Sequence, residues 1–79
     1  MDLWEMIRSK TAEVMEREPE SINGDDDLVE LGLDSFATIE LYTSLEDFYD
    51  IEIELEKKTQ LRTINAIEGE VKRLIAAKN

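Results

Sequence analysis

Apolar residues return every three or four positions along three stretches of this chain, and such a return marks one face of a helix. Leu3, Ile7, Thr11, Val14 and Met15 draw the first stripe, which predicts an amphipathic helix from Asp2 to about Arg17. Asp2 and Glu5 have capping-box spacing, Arg17 suits the negative end of the helix dipole, and Pro19 follows where a helix has stopped. Phe36, Ile39, Leu41, Tyr42, Leu45, Phe48 and Tyr49 predict a second helix from Ser35 to about Tyr49, with Asp34 or Ser35 as its cap. Of Phe48 and Tyr49, one is expected to close the core and the other to be partly exposed. Ile64, Ile67, Val71, Leu74 and Ile75 predict the last helix, from about Ile64 to Ala77, capped by Thr63. Gly69 inside it costs about 1 kcal/mol relative to Ala, so something other than propensity holds that helix.

Two stretches break the helical rhythm. Ile51 to Glu56 alternates apolar and acidic residues, the pattern of a strand, yet no second segment is available to pair with it. An extended piece followed by a short helix from about Leu55 to Leu61 is the reading we adopt. Glu18 to Asp34 is a long polar connection with a turn signal at Asn23-Gly24 and a solvated cluster at Asp25-Asp26-Asp27. Ile22, Leu28, Leu31 and Leu33 are spaced to pin it onto a core, with one helical turn around Leu28 to Gly32. A connection longer than about 12–15 residues in a compact domain is often functional. The expected fold is all-α, a small four-helix bundle of three main helices, one short helix and a long first loop, with residues 1–79 forming a single domain.

Composition then narrows the chemistry. The 79 residues carry a net charge of −11, and from Glu18 to Glu56 there are 14 carboxylates and no Lys or Arg. Such a field repels phosphate backbones and favours a partner with a basic patch, bound quickly and more weakly in salt. With no Cys and no His there is no thiolate, no structural zinc set, no imidazole base and no Ser–His pair. The expectation is a protein that is not an enzyme. The start, Met1-Asp2-Leu3-Trp4-Glu5, has neither a basic nor an apolar signal region, and no apolar run approaches the ~18 residues of a membrane span. A cytoplasmic monomer is the expectation.

Gly32-Leu33-Asp34-Ser35-Phe36 is the sharpest motif, a hydroxyl where the acidic loop turns into a helix. One reading is a plain cap pair. The other is a modification site, because a phosphate or phosphodiester on Ser35 would be stabilised by the free N–H groups and partial positive charge of the helix start. A self-activated Ser35 nucleophile is excluded by the missing base, so any chemistry there is performed by another enzyme. Asn23, Asp25 and Asp27 fit the first positions of a calcium loop, but Leu28 and Asp34 stand where Gly and Glu are required. The face formed by Glu40, Thr43, Glu46 and Asp47 has no Lys or Arg to form i,i+4 pairs, and a basic partner would offset its repulsion.

The run Leu31-Gly32-Leu33-Asp34-Ser35-Phe36-Ala37-Thr38-Ile39-Glu40-Leu41 resembles the acyl carrier protein family. Leu45 to Ile53 resembles that family's acidic recognition helix and its exit, and Leu61 to Ile67 the entry into its last helix. The resemblance implies 4′-phosphopantetheine on Ser35, attached from coenzyme A by a separate transferase and holding acyl intermediates as thioesters. It implies docking to basic patches on the transferase and on synthases through Asp34, Glu40, Glu46 and Asp47, with Phe36, Thr43 and Ile53 at the same surface. Fatty acid, polyketide or related biosynthesis is the implied setting. Phe36 departs from the Leu common in fatty-acid carriers, and Ser-Phe is also familiar in aminoacyl carriers such as the D-alanyl carrier. Lys57 and Lys58 depart from the more acidic third helix of fatty-acid carriers. Met1 and the absence of a linker lead us to expect a free-standing chain. The rival expectation is an acidic helical adaptor that binds a basic protein and uses Ser35 only as a cap.

Overall fold

The computed structural model describes residues 2–78; Met1 and Asn79 lie outside the described residues. Four α-helices follow in order: α1 (Leu3–Met15), α2 (Ser35–Tyr49), α3 (Leu55–Gln60) and α4 (Ile64–Ala77). A 3-10 turn at Pro19–Ser21, which the sequence pattern did not announce, interrupts the first loop. Among the described residues there is no strand, and residues 51–54 are extended without a ladder.

Each long helix begins on a side chain from the preceding residue. Asp2 Oδ1 accepts from the backbone N of Glu5 at 2.8 Å, Asp34 Oδ1 from that of Ala37 at 2.8 Å, and Thr63 Oγ1 from that of Ala66 at 3.1 Å. The capping box at Asp2 is only half formed, because the Glu5 carboxylate pairs forward with Arg8 at 3.2 Å. α1 stops at Met15, two residues before the expected Arg17. Glu16 enters the left-handed region at φ 55°, and the N of Arg17 turns back onto the carbonyl of Ala12 at 2.9 Å. α2 ends in the same way: Asp50 is at φ 53° and the N of Ile51 reaches the carbonyl of Glu46 at 3.1 Å. Both are Schellman-type closures built without glycine.

α1 packs against both α2 and α4. Ile7, Leu41, Leu45, Ile64, Ile67 and Val71 are fully or almost fully buried between them, joined from the loop by Ile22, Leu28 and Leu33. Tyr42 is buried too, and desolvation raises its phenol above the ordinary range. The burial of Ile64, Ile67 and Val71 is what holds α4 around Gly69, beside which there is open space. α2 corrects the expectation of a broad apolar face turned inward. Apolar residues stand nearly all round this helix, and the bundle covers only the side of Ala37, Leu41, Tyr42 and Leu45. Phe36, Ile39 and Phe48 stay 75%, 64% and 65% exposed. Tyr49 is the half-buried member of its pair, with Phe48 set edge-on to it at 4.9 Å.

The acidic loop is stitched to the start of α4. Asn65 donates from Nδ2 to Asp25 at 2.9 Å and from its backbone to the carbonyl of Gly24 at 3.2 Å, while its Oδ1 accepts from Trp4 Nε1 at 2.8 Å. Arg62 pairs with Asp27 at 2.8 Å and its carbonyl accepts from the N of Leu28. Asp26 accepts from the N of Asn23 at 2.7 Å. The three aspartates expected to be a merely solvated cluster are therefore loop-forming residues, and the Arg62 hydrogen bond lowers the pKa of Asp27.

Candidate functional site

The stitched loop ends in a sharp sequence of steps that delivers Ser35. The expected turn forms at Leu28 to Gly32, with the N of Leu31 on the carbonyl of Asp27 and the N of Leu33 on that of Leu28. Gly32 makes the reversal at φ 113°, a conformation that side chains other than hydrogen resist. Leu33 then drops into the core, Asp34 is extended, and Ser35 is the first residue of α2. Of the two candidate caps it is Asp34 that makes the bond. Ser35 is left exposed, its hydroxyl outside the capping arrangement.

Ser35 lies among the walls of a groove of about 540 Å³ between the loop end, α2 and α3. Val29, Leu33, Ile39, Leu55 and Leu61 make it largely apolar, and Thr38, Lys58 and Thr59 add polar groups. Val29, Ile39 and Leu55 are 50%, 64% and 78% exposed, so the groove is open to a partner or a tethered group. A smaller concavity of about 370 Å³ between α1 and α2, beside Met6, Lys10 and Phe48, does not include Ser35.

The expected docking residues divide in two. Phe36, Glu40, Thr43 and Asp47, at spacings of four, three and four, share one exposed outward stripe of α2, with Asp34 exposed at its head. Glu46 and Ile53 do not belong with them. Ile53 is only 3% exposed, turned inward by its own alternation with Glu52 and Glu54. Glu46 bends back to accept from the N of Ile53 at 2.8 Å and to pair with Lys58 at 3.3 Å. Exposed Ile39, Val29 and Leu55 and half-covered Lys58 belong to the site but were not among its expected residues. For Lys58 the signal was its place in an otherwise acidic stretch.

Residues 5–71 match the family described as phosphopantetheine attachment site. The chain belongs to this family. Its domains carry covalently attached 4′-phosphopantetheine, and this chain is a carrier protein domain. A free-standing peptidyl carrier protein from an uncharacterized Acinetobacter baumannii secondary metabolic pathway superposes with a TM-score of 0.80. It is 32% identical, with 89% of each chain covered. The HMG-ACPI domain of the CurA module from Lyngbya majuscula shares the fold at a TM-score of 0.80 and 24% identity, over 94% of this chain and 76% of that one. Carrier domains of this kind are generally non-catalytic and interact with synthases and transferases. The carrier's geometry fits the family's prosthetic group: an exposed primary hydroxyl opens beside an apolar groove at a helix start. No helix among the described residues is long and apolar enough to cross a membrane.

Proposed function

We propose that Ser35 is the attachment residue and that residues 1–79 form a single monomeric carrier domain, itself without catalytic activity. The carrier passes thioester-bound acyl groups between cytoplasmic enzymes of fatty acid, polyketide or related biosynthesis. The observation that carries the reading is the exposed Ser35 hydroxyl, freed from capping by Asp34 and set beside the groove. Four other hydroxyls are engaged with backbone carbonyls: Thr11 with that of Ile7, Ser21 with that of Glu18, Thr38 with that of Asp34, and Thr59 with that of Glu56. When bound, the arm supplies the thiol that a chain without cysteine lacks. The protein's own part is to present the hydroxyl, shelter what is attached, and meet basic partner surfaces through Asp34, Phe36, Glu40, Thr43 and Asp47.

Incubation with coenzyme A and a broad-specificity phosphopantetheinyl transferase, followed by intact mass, tests the assignment. The wild-type chain should gain one arm and Ser35→Ala none; a gain that survives in Ser35→Ala, or no gain at all, refutes it. A refusal to load in the presence of an intact fold would return the adaptor reading. The likeness to the free-standing peptidyl carrier, at 32% identity over 89% of the chain, favours a second reading in which the cargo is aminoacyl or peptidyl. Offering the loaded carrier to amino-acid-activating enzymes and to acyltransferases separates the two, since only the correct donor leaves a thioester visible by mass.

A further inference from the structure

α3 is attached to the bundle differently from its neighbours. None of its six residues is buried, and Leu55 at its start is 78% exposed, whereas α1, α2 and α4 each sink apolar residues into the core. Charge holds it instead. Lys58 Nζ lies 3.3 Å from Glu46 Oε1, and Glu46 Oε2 accepts from the backbone N of Ile53 at 2.8 Å. The Lys58 and Glu46 side chains are only 25% and 21% exposed, so this carboxylate grips both the approach to α3 and its middle while partly screened from water. On the other flank Arg73 holds Glu70 through two hydrogen bonds, of 3.1 and 2.7 Å, and Lys57 and Glu54 add their charges to that pair. Through Leu55, Lys58 and Thr59, α3 is also one wall of the groove that contains Ser35.

We propose that Glu46 and Lys58 are a positioning pair that holds α3 against α2 and thereby sets the opening of the groove beside Ser35. Lys58, one of the two lysines that depart from an acidic third helix, acquires a mechanical reason: a helix without buried side chains gains a hold on α2 when its cation reaches the Glu46 carboxylate. The pair also withdraws Glu46 from partner docking, leaving the outward stripe to Phe36, Glu40, Thr43 and Asp47. Only the link to a carried group rests on the attachment reading; the tether of α3 stands on the bare chain.

Amide exchange of the apo protein, followed by NMR, tests the tether. Lys58→Met keeps the aliphatic stem without the charge, and Glu46→Gln keeps an acceptor for Ile53. Each should speed exchange across residues 53–60 about fivefold, the effect of losing one partly covered ion pair, while α1 and α4 keep their rates. Lys58→Arg should restore wild-type exchange, and 1 M salt should accelerate the same segment in the wild type. Unchanged exchange in Lys58→Met, or an equal acceleration along the whole chain, overturns the proposal. The groove is read by loading Ser35 with a coenzyme A analogue bearing an environment-sensitive fluorophore. Its emission should shift to the red in Lys58→Met and return in Lys58→Arg; constant emission despite a loosened α3 overturns the role in the groove. Failure of the wild-type chain to load refutes the attachment reading and removes the link to cargo, while the exchange data still decide the tether.

Discussion

Replacing Gly24 by alanine tests the stitching of the loop, because its sign should depend on a residue 41 positions away. A Cβ built at Gly24 overlaps Asn65 Oδ1 and falls 2.9 Å from both Cγ and Nδ2, too close for any contact to persist unchanged. Asn65 can swing aside, but it then gives up the bond from Trp4 Nε1 and the one to Asp25. Two exposed hydrogen bonds are together worth about 1–2 kcal/mol. Against this stands a gain of about 0.4–1 kcal/mol from stiffening the unfolded chain, since Gly24 is not among the residues held at positive φ. Gly24→Ala alone should therefore destabilise by up to about 1.6 kcal/mol, and Asn65→Ala alone by about 1–2 kcal/mol. In the Asn65→Ala background the clash is gone, so Gly24→Ala should become neutral or stabilising, a coupling of about 1–2 kcal/mol. Urea unfolding of the four proteins, followed by circular dichroism and by the single Trp, measures each corner of the cycle. Additive losses, with Gly24→Ala equally harmful in both backgrounds, would refute the reasoning.

Gly69→Ala should stabilise by about 1 kcal/mol in thermal or urea unfolding, because nothing lies near the added methyl and the position is inside a helix. Asp34→Ala should cost about 1 kcal/mol as a lost cap, whereas Ser35→Ala should change stability by less than about 0.5 kcal/mol yet abolish loading. Glu70 is held below its ordinary pKa chiefly by the Arg73 hydrogen bond, so its stabilisation is complete above the unfolded value near pH 4 and lost as pH falls through the lower folded value. The stability gap between wild type and Glu70→Gln should accordingly be widest at neutral pH and close on acidification in a pH series of urea midpoints. Glu40→Lys or Asp47→Lys should slow loading by the transferase, and added salt should slow it in the wild type, as a stopped-assay time course would record.

The helices were legible because burial in a bundle imposes a three-to-four residue rhythm, and Leu41, Leu45, Ile64, Ile67 and Val71 obey it into the core. Phe36, Ile39 and Phe48 obey the same rhythm and remain outside. Periodicity says which residues share a face but not how many faces the neighbours can cover, and α2 has more apolar residues than α1 and α4 can reach. The end of α1 was misjudged by two residues because its closure puts Glu16 in a conformation usually announced by glycine. Ser35 was legible from its local motif and from the likeness that surrounds it. The inward turns of Ile53 and Glu46 were not, since each depends on a partner brought by folding: the core for Ile53, and Lys58 with the Ile53 amide for Glu46.

That dependence on folded partners also divides the charge of the acidic segment into two kinds. Asp25, Asp26, Asp27, Asp34 and Glu46 have side chains committed to the chain's own amides, to Asn65, to Arg62 or to Lys58. They fix the loop, start α2 and hold α3, and the cations they use come from outside the segment. Glu40 and Asp47 receive no such compensation and stand with Phe36 and Thr43 on the outer side of α2. Their mutual repulsion is a cost the isolated fold carries, and a basic surface approaching that side would relieve it. The net charge of −11 is therefore a poor guide to docking strength. The part available to a partner is what remains after the fold has taken its share, and on the helix that Ser35 begins that remainder is Glu40 and Asp47.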